Sequence, residues 1–345
     1  MASDGGGVRP GIVRRAISGK TMNDTKHLKA RGIPMHHRAT VLTLLLICGG
    51  ALAPGAAAQR GAALCGDEGV WIQLLGAGGP ELDDSQGGAS YLVWIDGQAR
   101  LLVDTGPGSS LRFDEAGADF KDLDAIVFTH LHADHAADFP AFIKGSISAD
   151  RERPLPVFGP SGNEDYPDTK TFITRLIGPD GAFAYLQDFL TYNSSGGYNI
   201  SARNIPATGR RRWARFGSEN IRLSAIPVTH GNVPAVAWRV QAGEQRIVFT
   251  GDFNNQKNII AEFAKDADAI IFSHAIHQNA RGRALELHVT PRQIGRIAAQ
   301  ANARMVILGH RMNRTRGRES QSREAIEENY DGPLLFGNDL ECWGL

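Results

Sequence analysis

Cysteine is scarce, with three in 345 residues, too few for a small disulfide-dense scaffold. Cys65 and Cys342 lie near opposite ends of the body of the chain. In an oxidising compartment they could form a bond tying those ends together, or they could sit apart as two small buried residues. Net charge is missing as well: 37 basic side chains stand against 37 acidic ones, without the positive excess of a dedicated nucleic-acid-binding protein. No apolar run reaches the ~20 residues that cross a bilayer, since the stretch at 41–47 is followed by Gly49-Gly50 and Pro54. Those absences leave an ordinary globular chain, 42% apolar.

The charge balance hides an uneven distribution. Residues 1–58 carry Arg9, Arg14, Arg15, Lys20, Lys26, Lys29, Arg31 and Arg38 against Asp4 and Asp24, and the body without them holds 29 basic and 35 acidic residues. Met35-His36-His37-Arg38, the apolar run and Ala56-Ala57-Ala58 follow the order of a secretory signal peptide. The expectation is a leader over 1–58 with its signal at 35–58, cleavage after Ala58, and an exported protein, periplasmic or secreted. Translation could start at Met1 or at Met35. No stable membrane anchor is expected after cleavage.

A long linker is also absent. From Val70 onward, short β-branched runs alternate with helical patterns and Gly-rich turns, which indicates a single α/β body over 59–345. The spacing predicts strands over 70–75, 90–95 and 99–103 in an opening meander, and a helix over 169–177. A later helix starts at Thr290 as cap with Pro291 in the first turn, placing Ile294, Ile297, Ala298 and Ala301 on one face. Residues 144–220, rich in Gly, Pro, Asn and aromatics, are expected to be an elaboration covering the substrate. Trp213 and Tyr198 would form an aromatic wall there or pack beneath the loops.

What the sequence does contain is a set of apolar runs that each end in a residue able to bind metal. The run at 125–128 leads into Thr129-His130-Leu131-His132-Ala133-Asp134-His135. The run at 221–228 leads to His230, 246–249 to Asp252, 305–308 to His310, and 101–103 to Asp104. In layered α/β folds, sites assemble in the loops beyond such strand ends. His130 and His132 are two apart, so from an extended segment both point the same way and can reach one ion. Asp134 and His135 follow as the chain turns and can serve a second ion ~3.5–4 Å away. A lone strand-end histidine would mean little; the ordered set excludes a chance scatter of 11 histidines.

With Leu75-Gly76-Ala77-Gly78-Gly79-Pro80, Leu102-Val103-Asp104-Thr105-Gly106-Pro107-Gly108 and His288-Val289-Thr290-Pro291, these motifs resemble the metallo-β-lactamase superfamily. The branch is the ribonuclease Z-like one, which includes arylsulfatases and cyclic-nucleotide phosphodiesterases. The resemblance implies a four-layer αββα sandwich and two divalent metal ions, zinc above all by ligand chemistry, with manganese or iron as alternatives. It places His130, His132 and His230 on one metal and Asp134, His135 and His310 on the other, bridged by Asp252. It also implies that Asp104 supports the ligand loops, whereas the residues alone allow a simple turn former before Thr-Gly-Pro.

The catalytic residues expected are Asp134, as ligand and orienter of the attacking water, and His288, as proton donor to the leaving group, although a helix-entry role suits His288 nearly as well. His274 and His277 are weaker candidates. Where the transfer-RNA-processing members carry His-Glu-Ala-Thr, this chain has His274-Ala275-Ile276-His277, and the missing glutamate counts against transfer-RNA maturation. Nucleic acid is not an expected partner.

Arg203, Arg210, Arg211, Arg212 and Arg215 precede His230, and Arg311, Arg314, Arg316 and Arg318 follow His310. They would hold an anionic ester or form a solvated surface. The leading reading is an exported hydrolase of a small phosphodiester or sulfate ester. β-Lactam or lactone hydrolysis and a metal-stabilised binding protein without turnover are the alternatives, and the sequence leaves room for a homodimer.

Overall fold

The computed structural model describes residues 65–191 and 197–345, apart from the side chains of 214 and 215. The expected leader, signal and cleavage site lie outside the described residues.

Among the described residues, fourteen strands form two seven-stranded sheets. They are β1 (Val70–Gly76), β2 (Ser90–Ile95), β3 (Gln98–Val103), β4 (Ala125–Val127), β5 (Leu155–Pro160), β6 (Ile200–Ile205), β7 (Trp213–Gly217), β8 (Ile221–His230), β9 (Val233–Ala242), β10 (Gln245–Phe249), β11 (Ala269–Ser273), β12 (Met305–Gly309), β13 (Leu334–Phe336) and β14 (Cys342–Gly344). The helices are α1 (Ser109–Glu115), α2 (Ala133–Ala136), α3 (Phe139–Gly145), α4 (Thr169–Ile177), α5 (Ile260–Phe263), α6 (Arg283–Leu287), α7 (Pro291–Gln300) and α8 (Glu319–Glu327).

The first sheet runs β14-β1-β2-β3-β4-β5-β6 and the second β13-β12-β11-β10-β9-β8-β7. Each half begins as an antiparallel meander and ends in parallel strands: β3 to β6 in one, β10 to β13 in the other. The expected meander, both helices and the strands before each metal-binding residue are all present.

Strand alternation sorts the core into layers. Leu101, Val103, Ile247, Phe249, Ile271 and Ile307 face between the sheets. Leu102 with Phe113 and Phe142 of α1 and α3, and Ile270 with Ile294 and Ile297 of α7, fill the two outer layers. A central strand buried on both faces needs this continuous apolar run. The result is the expected αββα sandwich. Trp238 is wholly buried, and its indole N–H donates to the Phe128 carbonyl at 2.8 Å, fastening the second sheet to the first just before the metal-binding loop.

Segment 144–220 is a correction. Most of it builds the sandwich: β5 and β6 extend the first sheet, β7 edges the second, and α4 covers the outer face. Its prolines mislead, because Pro156 and Pro160 sit in β5 beside fully buried Leu155, Val157 and Phe158. Trp213 packs between the sheets, 5.6 Å from Phe158 and 6.1 Å from Trp238, and Tyr198 is buried with its hydroxyl 2.7 Å from Ser146 Oγ. Neither forms a wall at the site. Cys65 and Cys342 form a disulfide that spans 277 residues and anchors β14 to the start of the described chain.

Candidate metal centre

Every strand predicted to carry a ligand ends on the same side of the sandwich. His130, His132, Asp134 and His135 follow β4, His230 closes β8, Asp252 follows β10, and His310 follows β12 with a left-handed φ of 46°. The loop carrying the first four is held by Asp104, which itself adopts φ 59° at the end of β3. One carboxylate oxygen of Asp104 accepts from the Thr129 backbone N–H at 2.7 Å. The other accepts from the Thr129 hydroxyl at 2.7 Å and from His135 Nδ1 at 2.8 Å. The Thr105 N–H donates to the His135 carbonyl at 2.7 Å. Gly106 allows that approach, since a Cβ there would stand 2.3 Å from the Asp134 carbonyl oxygen. Asp104 is therefore a support for the loop, and the simple turn reading falls short.

These bonds also decide which ring nitrogens face inward. The Thr129 hydroxyl gives its proton to Asp104, so the group 3.1 Å away, His130 Nδ1, is the donor to that hydroxyl. His230 Nδ1 donates to the Leu287 carbonyl at 2.9 Å. With Nδ1 committed in His130, His135 and His230, Nε2 is the ring nitrogen that faces the centre, the one that would give its lone pair to a metal. His135 Nε2 is buried and has no hydrogen-bond partner there. His130 Nε2 and His132 Nδ1 face each other at 3.1 Å.

Donor atoms of His130, His132 and His230 all lie within 4.8 Å of one another, as do those of Asp134, His135 and His310. Asp252 Oδ2 lies between the groups, 3.7 Å from His230 Nε2, 3.5 Å from His310 Nε2 and 4.0 Å from His135 Nε2. The residues fit a pair of divalent ions: seven imidazole and carboxylate side chains whose donor atoms converge, with one central oxygen.

The electrostatics fit as well. Burial alone would push the Asp252 carboxyl up, but the surrounding imidazoles, His310 and His288 foremost, hold it well below the carboxylate range. Asp134 is likewise held low against its burial by His135 and His310. Burial opposes charge on His135, yet Asp134 and Asp104 raise it to about 9. Burial lowers His130 well below its ordinary value.

His288 is at the centre too, with Nδ1 3.7 Å from Asp252 Oδ2 and its ring 5.2 Å from that of His230; burial pushes it down to about 4. His274 is not: its Nε2 meets Ser322 Oγ at 2.8 Å inside the second half. His277 is only partly buried, and its Nδ1 accepts from the Asn279 N–H.

Among the described side chains of the arginines named from the sequence, Arg314 acts on His288 by its charge. Arg311 is buried against Glu319 and the Gly337 carbonyl, Arg316 pairs with Asp84, and Arg212 lies at the far end of β8. The aromatic beside the ligands is Tyr166, 6.4 Å from His132.

Ser273 was not foreseen. Its hydroxyl donates to Asp252 Oδ1 at 2.6 Å, leaving Oδ2 for the centre. Ser273 ends β11, level with the other ligand-bearing strand ends, so the rule that found His274 one residue later could have found it.

A sandwich of this kind, with such a donor set at its strand ends, defines a metal-dependent hydrolase class. The family model for the Beta-lactamase superfamily domain matches residues 99–311. The chain is 27% identical to Ribonuclease Z of Mycobacterium bovis over 284 residues, covering 78% of this chain and 96% of the relative. It is 25% identical to Ribonuclease Z of Halorubrum lacusprofundi, covering 78% and 94%. In structure it resembles the short form of human tRNase Z, with TM-score 0.61, 17% identity and coverage of 79% and 98%. The chain belongs to the metallo-β-lactamase superfamily and is a hydrolase of that fold, similar to ribonuclease Z. Membership implies that it binds divalent metal.

Proposed function

We propose that this hydrolase cleaves a small anionic ester, a phosphodiester or a sulfate ester, outside the cytoplasm. The observation that carries the reading is the convergence of six further donors around Asp252 Oδ2, with the charge of Arg314 acting on His288. His130, His132 and His230 would hold one ion, Asp134, His135 and His310 the other, and Asp252 both. Imidazole and carboxylate donors suit zinc, with manganese or iron as alternatives. Bound ions of this kind make hydroxide available at neutral pH and neutralise charge growing on the substrate.

Asp134 would orient the attacking water, because its carboxylate stays ionised. His288 would pass a proton to the leaving oxygen. Its ring alone is neutral at pH 7, and a substrate anion drawn in beside Arg314 would raise its proton affinity. The Cys65–Cys342 disulfide supports export, since such bonds persist in oxidising compartments. Among the described residues no helix is long and apolar enough to cross a membrane.

A second reading, processing of transfer-RNA 3′ ends, is favoured by the names of the relatives aligned over 78% of the chain. Against it stand Ala275 in place of that branch's glutamate and the fewer basic than acidic residues of the body. Purified, zinc-loaded protein should be offered bis-nitrophenyl phosphate, nitrophenyl sulfate, a chromogenic β-lactam and a transfer-RNA precursor with a 3′ trailer. Turnover of either of the first two is expected. Turnover confined to the lactam or to the precursor would overturn the reading.

A further inference from the structure

A cavity of about 820 Å³ lies away from the metal centre. It opens over the outer face of the second sheet, where β8 begins and β9 ends. Cross-strand pairing sets Arg222 opposite Gln241 and Ser224 opposite Arg239, and alternation puts all four on the same face as Ile226, Val228, Ala235 and Ala237. Those four apolar residues pack in the outer core beneath the helices. The face thus changes within a few residues from covered and apolar to open and arginine-lined. Ser224 and His230 are six residues apart on one strand, which at ~3.3 Å per residue puts the cavity roughly 20 Å from the metal ligands.

Arg212 and Arg222 are exposed and Arg239 is half-buried, and two of the three are tethered. Arg212 donates to Ser224 Oγ at 2.9 Å, with its guanidinium 5.7 Å from the centre of the Phe263 ring. Arg239 donates to the Phe263 carbonyl at 3.1 Å. Elsewhere Arg112, Arg153, Arg292, Arg304, Arg311, Arg316 and Arg323 are each matched to a carboxylate. Among the described residues, Arg212, Arg222 and Arg239 form no such pair, as is true of several other arginines, but these three line one cavity. Arg239 is held below its ordinary value by burial and then by the charges of Arg212 and Arg246. Three guanidinium groups gather around this concavity, with Glu219 in its lining and Asp266 acting on Arg239 from nearby, so positive charge prevails, and an oxyanion offers planar guanidinium forks a partner.

We propose that this cavity is a second anion site, separate from the metal centre, which takes a small ligand with phosphate-type oxyanions. Arg212 and Arg239 grip the oxyanion, Ser224 adds its hydroxyl, and Arg222 meets a second anionic group of the same ligand. Its volume falls in the range of small-molecule sites.

Calorimetric titration of pyrophosphate into the metal-loaded chain should reveal two sites. One should survive chelation of the metals and be weakened at least tenfold by Arg212→Ala with Arg239→Ala, while hydrolysis at the metal centre and the melting temperature stay unchanged. Arg222→Ala should cost less. Replacing Arg212 and Arg239 by lysine keeps the charge but removes the fork, and should also lose most of the affinity. A single site abolished by chelation, or a second site intact in the double variants, overturns the proposal. So does binding of a single-stranded oligonucleotide at this face without binding of phosphate or pyrophosphate, which would make the surface one for nucleic acid.

Discussion

The first sheet delivers its donors together, in residues 130–135 beyond β4, whereas the second delivers His230, Asp252 and His310 singly, from the ends of β8, β10 and β12. The burst is shaped by local bonds: Asp104 takes Thr129 and His135 at once, and Thr105 holds the His135 carbonyl. The single donors are placed by sheet register, β10, β11 and β12 running parallel with Ile247, Ala269 and Met305 level. One half relies on a folded loop and the other on the sheet itself. A defect in the loop should therefore spread across several ligands, and a defect beside a strand end should stay local.

The largest effect expected is from Asp134→Asn, inside the loop. Removing the charge that both ligates and orients should lower kcat by at least ~10³-fold, while circular dichroism and melting change little because the sandwich core is untouched. Activity within tenfold of wild type would break the comparison at its root. Asp104→Asn should come next. It contacts no donor atom facing the centre, yet it should weaken metal affinity roughly 10–100-fold, measured by competition with a chelator, through misplacement of both the His130 and His135 rings. Ser273→Ala is its counterpart in the second half. Loss of one hydrogen bond to Asp252 should cost about 1–2 kcal/mol, tenfold or so in metal affinity, with no change at the residues of the loop in a histidine NMR spectrum. If Ser273→Ala disturbed the loop histidines as much as Asp104→Asn does, the two halves would not differ in the way proposed.

The same contrast explains what could be read from residues alone. The loop donors were legible because they are contiguous: His130, His132, Asp134 and His135 announce themselves within six positions. His230, Asp252 and His310 became legible only through the apolar runs before them, each of which did form a strand. Ser273 escaped because a serine at a strand end has no distinctive chemistry until its partner, 21 residues earlier in the chain, is seen beside it.

The arginines near His230 in sequence were misleading for a related reason. β8 is ten residues long, so proximity along the chain to one end places a residue beside the other. Pro156 and Pro160 concealed β5, since propensity disfavours proline in a sheet but says nothing of the apolar layers on both sides that keep it there.

The last strand carries a further consequence. β14 comes from residues 342–344 yet pairs with β1, which begins at Val70. Until residues 342–344 join it, β1 has an uncovered rim on that side, and a bare rim invites pairing with other chains. A chain in which that rim is open would be more prone to self-association, and the bond between Cys65 and Cys342 acts as a latch that keeps β14 over it.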